Sequence, residues 1–356
     1  MANDFTTRGV HGAPCLIRAR APLRLGLAGG GTDVSPFCDD HGGAVLNATI
    51  DRFAFASIQP RTDGQVVFNA ADLGRIDQLE ATAELNTDEG LRLHRAAYNR
   101  FVRDFNRGEP MPLTLTTHVD SPMGSGLGSS SALVVAMVEA LREYIGAPLG
   151  EYDIAHLAFE IERKDLKLNG GRQDQYAATF GGFNFMEFSA NDRVIVNPLR
   201  IKQSIRLELE ASLLLYFTGV SRESARIIDN QTAAVQQGVP SLEAMHQLKS
   251  DAISMKEALL LGRLDDMGDL LNRSWLAKKA TSVGVSNPLI ESILDTARAN
   301  GARSAKVSGA GGGGFIMLLC DPTRRLELSR ALAELGHGEA MICQLTNEGS
   351  VAWRVR

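Results

Sequence analysis

Residues 121–137 read SPMGSGLGSSSALVVAM. Glycine loses more conformational freedom on folding than any other residue. Three glycines here (Gly124, Gly126, Gly128) run straight into Ala132–Ile145, a helical stretch with almost no polar face. A chain that orders so much glycine just before a buried helix brings its backbone close to something. Two further glycine-rich turns adjoin expected strands: RAPLRLGLAGGGTD at 20–33 and KVSGAGGGGF at 306–315. The last has five glycines in the six residues 309–314, more than a plain turn requires. Three such turns predict one cleft in which backbone approaches a polyanionic ligand.

Familiar glycine motifs do not fit the middle stretch. It lacks the lysine of GxxxxGK[ST]. Gly124 and Gly126 are followed by Ser129 where GxGxxG needs a third glycine, and no GxSxG elbow is present. What remains is a glycine loop wrapped over an anion at a helix N-terminus. Amides there have no intrahelical partner, and the helix dipole favours negative charge. Ser129, Ser130 and Ser131 add hydroxyls for phosphate oxygens or a bound magnesium. From local sequence alone, a serine-capped strand-to-helix turn is the alternative.

The 356 residues suit about two domains. With 44% apolar and 22% charged residues, the expected class is a soluble globular protein. A net charge of −5 argues against the strongly basic face that nucleic acid needs. No apolar run reaches the ~18 residues of a membrane span, and MANDFTTRGVHGAP has no apolar core of a signal peptide. Cys15, Cys38, Cys320 and Cys343 form no CxxC pair and no zinc-ligand cluster, so they are expected to be buried thiols in a reducing cytoplasm.

Residues 1–14 are polar and expected to fray. Strands are expected in 15–28 with a bend at Pro22, then at 42–50, 53–60, 64–70, 111–119, 183–188, 213–219, on both sides of 309–314, and at 339–345. Helices are expected at 90–105, 151–168, within 170–182, at 221–276, 288–300 and 324–335. The polar segments SANDRV and NPLRIKQS place the domain boundary near 190–210, giving domains 1–200 and 201–356.

Helix 151–168 offers two acids. Glu160 lies four residues from His156 and from Lys164 on a polar stripe, an ordinary solvated face. Glu162 lies at the edge of the apolar stripe, where an acid needs a partner or a cation. Asp174 reads locally as an acid in the first turn of a short helix. Asp33 reads as a helix cap, and Arg24 as a strand-edge arginine.

The three glycine stretches resemble, in order and spacing, the motifs of the galactokinase, homoserine kinase, mevalonate kinase and phosphomevalonate kinase superfamily. PMGSGLGSSSA is similar to its phosphate loop, and the resemblance runs from about Arg18 to Phe315. RAPLRLGLAGGGTD and GGRQDQYAATFGGFNF resemble the sugar-1-kinase branch that phosphorylates D-glycero-D-manno-heptose 7-phosphate. The GGG form points away from galactokinases, whose first motif ends in histidine-threonine-aspartate.

The resemblance implies two α+β domains with the active site between them, the second ferredoxin-like. It implies ATP and Mg2+ as cofactors and a sugar phosphate as the small-molecule partner, with a 1,7-bisphosphate feeding activated heptose for surface polysaccharide as product. Gly124, Ser125, Gly126, Leu127, Gly128, Ser129, Ser130 and Ser131 would hold the ATP phosphates, and Ser130 with Glu162 the magnesium. The family's magnesium glutamate precedes its catalytic aspartate by twelve residues, as Glu162 precedes Asp174. Asp174 would take or orient the proton of the anomeric hydroxyl, with Arg24 beside it. Gly30, Gly31, Thr32 and Asp33 would meet the sugar, with Gly311 and Gly312 closing over the cleft. Lys167, Arg172 and Arg222 are candidates for a second anion pocket. The helical surfaces of 221–276 are a candidate homodimer face. Alternatives are a kinase of L-fucose or mannose, a decarboxylase of the same superfamily, and a non-catalytic sugar and ATP sensor. The presence of Ser130, Glu162 and Asp174 favours an active enzyme.

Overall fold

The computed structural model describes residues 16–220, 224–237 and 239–355. Cys15, Arg222 and the polar N-terminal segment lie outside the described residues. Strands β1 (Leu16–Ala28) and β2 (Gly43–Pro60) flank the short helix α1 (Phe37–His41). They are followed by β3 (Gln65–Ala70), β4 (Arg75–Glu80), α2 (Arg92–Phe105), β5 (Leu113–Val119), α3 (Ser129–Ile145) and α4 (Glu151–Glu160). Next come α5 (Gln173–Phe180), β6 (Phe183–Ser189), β7 (Arg193–Pro198), α6 (Gln203–Ser212) and β8 (Leu213–Phe217). The chain continues through α7 (Ser224–Gln237), α8 (Val239–Leu261), α9 (Leu264–Thr281) and α10 (Pro288–Ala299). It ends with β9 (Ala302–Val307), β10 (Phe315–Cys320), α11 (Arg325–Ala333), β11 (Glu339–Met341) and β12 (Val351–Val355).

Two sheets organise these elements. The first has eight strands in the order β12-β1-β2-β5-β3-β4, with β6 also paired to β2 and β7 to β6. The 42–50 and 53–60 strands expected from sequence are one long strand, β2. Its first half pairs β6 and its second half pairs β5. The bend expected at Pro22 is a register shift in the β1–β2 ladder between Pro22 and Arg24, where proline has no N–H to donate. The second sheet is four antiparallel strands, β11-β8-β10-β9, in keeping with the ferredoxin-like expectation.

The apolar run after the glycine loop behaves as its composition requires. Every residue from Ala132 to Leu141 in α3 is buried, and the helix packs on β1 and β2 inside the main core. A cut at residue 200 does not separate the two sheets: β12 returns to pair antiparallel with β1 in the first one. Strands β4, β7 and β12 and helix α6 have no counterpart among the sequence expectations. Helix 151–168 also differs. The α-helix ends at Glu160 and continues as a π-helical turn over Ile161–Asp165, whose widened ring is closed by Leu166 N–H donating to Ile161 O at 3.1 Å. Single π-turns of this kind often mark functional positions, and this one carries Glu162.

Candidate active site

Three strand–glycine–helix or strand–glycine–strand units converge on a cavity of about 590 Å3. Its wall includes Arg24, Gly30, Gly31 and Asp33 from the first motif, Met123–Ser131 in part from the second, and Gly309 and Ala310 from the third. Glu162, Asp174 and Lys278 also face it.

The second motif is shaped by backbone that only glycine adopts readily. Gly124, Gly126 and Gly128 have φ of 73°, 81° and 73°. A Cβ on Gly126 would stand 2.5 Å from Ser308 O, and one on Gly128 would stand 3.3 Å from Asp174 Cγ. The third motif is therefore a seat for the second. Ser308 Oγ donates to Gly126 O at 2.9 Å, and Phe315 N–H donates to Ser125 O at 2.8 Å. Ser125 and Leu127 are fully buried. Leu127 anchors the loop in the core and its carbonyl accepts from Arg24 N–H at 3.0 Å. These two residues hold the loop rather than line the cavity.

Asp174 projects from the first turn of α5 into the cavity. Arg24 meets its Oδ1 twice, from Nε and Nη2, both at 2.7 Å. The same guanidinium donates to Gly126 O at 2.6 Å. Arg24 is buried on β1, so one arginine ties the acid, the glycine loop and the sheet together. Both contacts fall on Oδ1, while Oδ2 lies toward Gly128.

Glu162 is buried at the N-terminus of α3. Ser130 Oγ donates to its Oε1 at 3.0 Å and Ser131 Oγ to its Oε2 at 2.6 Å. Gln175 Nε2 also donates to Oε2, and the Gln175 Oε1 is a buried acceptor without a hydrogen-bond partner. Glu160, in contrast, pairs with Lys164 and Arg100 at 3.0 Å each on a partly exposed face, as its polar stripe suggests.

Asp33 reaches the cavity wall, but its oxygens already serve the protein. Oδ2 accepts from the backbone N–H of Arg172 (2.9 Å) and Gln173 (3.0 Å). Oδ1 accepts from Gly31 N–H (3.1 Å) and Gln173 Nε2 (3.0 Å). It caps α5 from across the fold and so sets the position of Asp174 one residue further on.

Five further expected positions are corrected. Thr32 is wholly buried, with its hydroxyl 2.8 Å from Gly29 O and 2.9 Å from Ala44 O and accepting from Ala44 N–H at 3.0 Å, so it braces the first turn. The Arg172 guanidinium points away from the cavity into Asp39 and Asp192, both at 3.1 Å. Gly311 and Gly312 pack against Val285, with Gly312 N–H donating to Val285 O at 2.7 Å; Gly309 and Ala310 reach the cavity instead. Lys167 is exposed and does not line it.

The GHMP kinases N terminal domain matches residues 92–182 and the GHMP kinases C terminal domain matches residues 255–338. A D-glycero-alpha-D-manno-heptose 7-phosphate kinase of Campylobacter jejuni is 48% identical over 339 residues, covering 95% of this chain and 99% of its own. The chain belongs to the GHMP kinases. A crystal structure of a D-glycero-D-manno-heptose 1-phosphate kinase from Bacteroides thetaiotaomicron is 44% identical, with a TM-score of 0.81 over 96% of this chain and 99% of that one. An L-fucokinase/L-fucose-1-P guanylyltransferase of Bacteroides fragilis is 25% identical, spanning 90% of this chain and 36% of that protein.

As a GHMP kinase the protein is a phosphotransferase with an alcohol acceptor and ATP as donor. Among the described residues no helix is long and apolar enough to cross a membrane. The described cysteines, Cys38, Cys320 and Cys343, are buried free thiols. Burial pushes the Cys38 thiol up to about 11 and the Cys343 thiol up to about 12, so neither is a nucleophile.

Sequence reasoning missed Gln175, Ser308 and Lys278. Gln175 and Ser308 lie within stretches already singled out, so their side chains were findable as extra polar groups. Lys278 sits in LAKKAT, where nothing local distinguishes it from Lys279.

Proposed function

We propose that the protein transfers the γ-phosphoryl group of ATP to the anomeric (C1) hydroxyl of D-glycero-D-manno-heptose 7-phosphate, giving the 1,7-bisphosphate, in the cytoplasm. The names of its relatives supply the sugar. The observation that carries the chemistry is the Arg24–Asp174 pair at 2.7 Å, set against the glycine loop at the cavity wall.

Phosphoryl transfer needs alignment and charge stabilisation more than covalent chemistry. The left-handed glycines leave amides of the loop and of the α3 N-terminus to hold nucleotide phosphates. Asp174 Oδ2 accepts the hydrogen bond of the attacking hydroxyl and orients it, while Arg24 keeps the carboxylate in place through Oδ1. Arg24 also places positive charge next to the site where the transferring phosphoryl group becomes most anionic.

Magnesium fits the residues present. Ser130 Oγ and the Glu162 carboxylate, 3.0 Å apart, form a hard-oxygen donor set beside the expected phosphates, and this cation commonly takes one or two protein ligands with the rest from phosphate and water. When bound, it would neutralise charge on the β- and γ-phosphates.

The test is ADP release with ATP and magnesium across heptose 7-phosphate, its unphosphorylated form, D-mannose, L-fucose and D-galactose. The 7-phosphate is expected to have the highest kcat/KM. Asp174→Asn is expected to keep ATP affinity and lose about 10²-fold or more in kcat. Preference for an unphosphorylated sugar would replace the substrate, and near-normal turnover by the variant would remove Asp174 from the reaction.

A further inference from the structure

A substrate that arrives with a phosphate needs a second anion site, and this inference rests on that reading. Among the described residues, three cations line the cavity: Arg24, Arg163 and Lys278. Arg24 is bound to Asp174, and Arg163 approaches Glu162 at 3.9 Å. Lys278, carried by α9, is 97% buried by its 3% exposure, and among the described residues no carboxylate lies within ion-pair distance of it. Its ammonium donates to Gly30 O at 2.8 Å and lies 3.5 Å from Gln231 Oε1.

This is unusual within the molecule. The buried arginines Arg24, Arg95 and Arg172 meet carboxylates at 2.7, 2.8 and 3.1 Å. Lys306 is also buried without such a partner, but its ammonium is taken by Gly26 O and Leu27 O at 3.3 and 2.9 Å and it does not line the cavity. Burial, and then the charge of Lys278, lower the Lys306 ammonium to about 7. Asp33, the acid whose charge acts on Lys278, already accepts four protein hydrogen bonds. A buried ammonium without a counter-ion is costly, and its position on a cavity wall lets a ligand supply the missing charge.

We propose that Lys278 anchors the phosphomonoester that the sugar already carries, at the end of the cavity formed by Gly30, Gly31 and Gln231. It contacts the first glycine turn and not the phosphate loop, so the two anions of the reaction are held by different elements. The lysine comes from the second half of the chain and the glycine turn from the first. The phosphate thereby joins the two walls of the cleft.

Lys278→Met keeps the aliphatic stem and removes the charge. Loss of one charge-assisted contact predicts roughly a 30-fold rise in KM for heptose 7-phosphate. The KM for ATP should move by less than about threefold, and kcat/KM on unphosphorylated heptose should fall far less than on the 7-phosphate. Lys278→Arg should recover part of the preference. Equal losses on both sugars would overturn the proposal and leave a positioning role. A rise confined to the KM for ATP would assign the lysine to the nucleotide phosphates and overturn it too.

If Lys278→Met fails to fold, the unaltered enzyme decides. The 15Nζ signal of Lys278 should shift on adding heptose 7-phosphate or inorganic phosphate, and not on adding unphosphorylated heptose. A signal indifferent to both phosphates would refute the site. If no sugar is turned over, the proposed function fails, yet the response of Lys278 to inorganic phosphate still tests the anion site by itself.

Discussion

Gly126→Ala tests how far the phosphate loop depends on its seat against the third motif. At φ 81° an alanine bears a left-handed backbone penalty of about 1–2 kcal/mol. Its Cβ would also fall 2.5 Å from Ser308 O, a backbone atom that cannot swing aside. Relieving that overlap moves the loop and weakens two bonds to Gly126 O, from Arg24 at 2.6 Å and Ser308 at 2.9 Å. A hydrogen bond from a charged donor is worth about 1.5–3 kcal/mol and a neutral one about 1. The sum is on the order of 4 kcal/mol. Gly146→Ala is the control: it has φ 72° at the far end of α3, with nothing within 4 Å of its Cβ position, so only the backbone penalty applies. For a chain of this length about 1 kcal/mol moves the thermal midpoint by roughly 1–1.5 °C. Gly126→Ala should then melt about 5 °C below the parent and the control about 1–2 °C below. The KM for ATP should rise about tenfold or more in the first and stay level in the second. Equal midpoints and equal KM values would refute the reasoning, because the contact with Ser308 would then contribute nothing.

Glu162→Gln should raise the magnesium concentration needed for half-maximal rate by about tenfold; an unchanged magnesium titration would place the cation elsewhere. Asp33→Asn puts an amide donor against N–H groups that now meet an acceptor, so the unfolding midpoint should fall and the KM values for both substrates should rise. A rise in the sugar KM alone, with stability intact, would make Asp33 first a sugar ligand. Burial lowers the His94 imidazole to about 4 from an ordinary 6.5, against a weaker opposing pull from Asp77. The unfolded chain therefore binds more protons than the native one between those values. The contribution is fully present above pH 6.5 and is lost as pH falls toward 4, with a slope of up to about 1.4 kcal/mol per pH unit. Replacing His94 by Gln, which can still bond to the Thr117 hydroxyl that His94 meets at 2.8 Å, should flatten that part of the stability profile, as read by urea unfolding at pH 5 and pH 7.

What could be read from the chain and what could not divide along the range of the forces involved. The glycine turns and the buried helix α3 are local: positive φ needs glycine, and an apolar run needs a core. Glu162 was separable from Glu160 because two residues on a helix turn the side chain to another face, and the structure keeps that distinction even though a π-turn replaces the last α-turn. Arg24 and Arg172 show where locality ends. Both flank a glycine-rich motif and both are buried. Arg24 faces Asp174, while Arg172 turns to Asp39 and Asp192, on elements that sequence does not place beside it. Lys278 and Lys279 make the same point at a single peptide bond. About 100° of helical rotation sends Lys279 to Glu291 at 3.1 Å on a partly exposed face and Lys278 to Gly30, 248 residues away. Which neighbour turns inward depends on how α9 packs against the first sheet. A charged pair of identical residues carries no periodicity to report it, so the cation that best fits the sugar's own phosphate is visible only after the two halves of the chain have closed on each other.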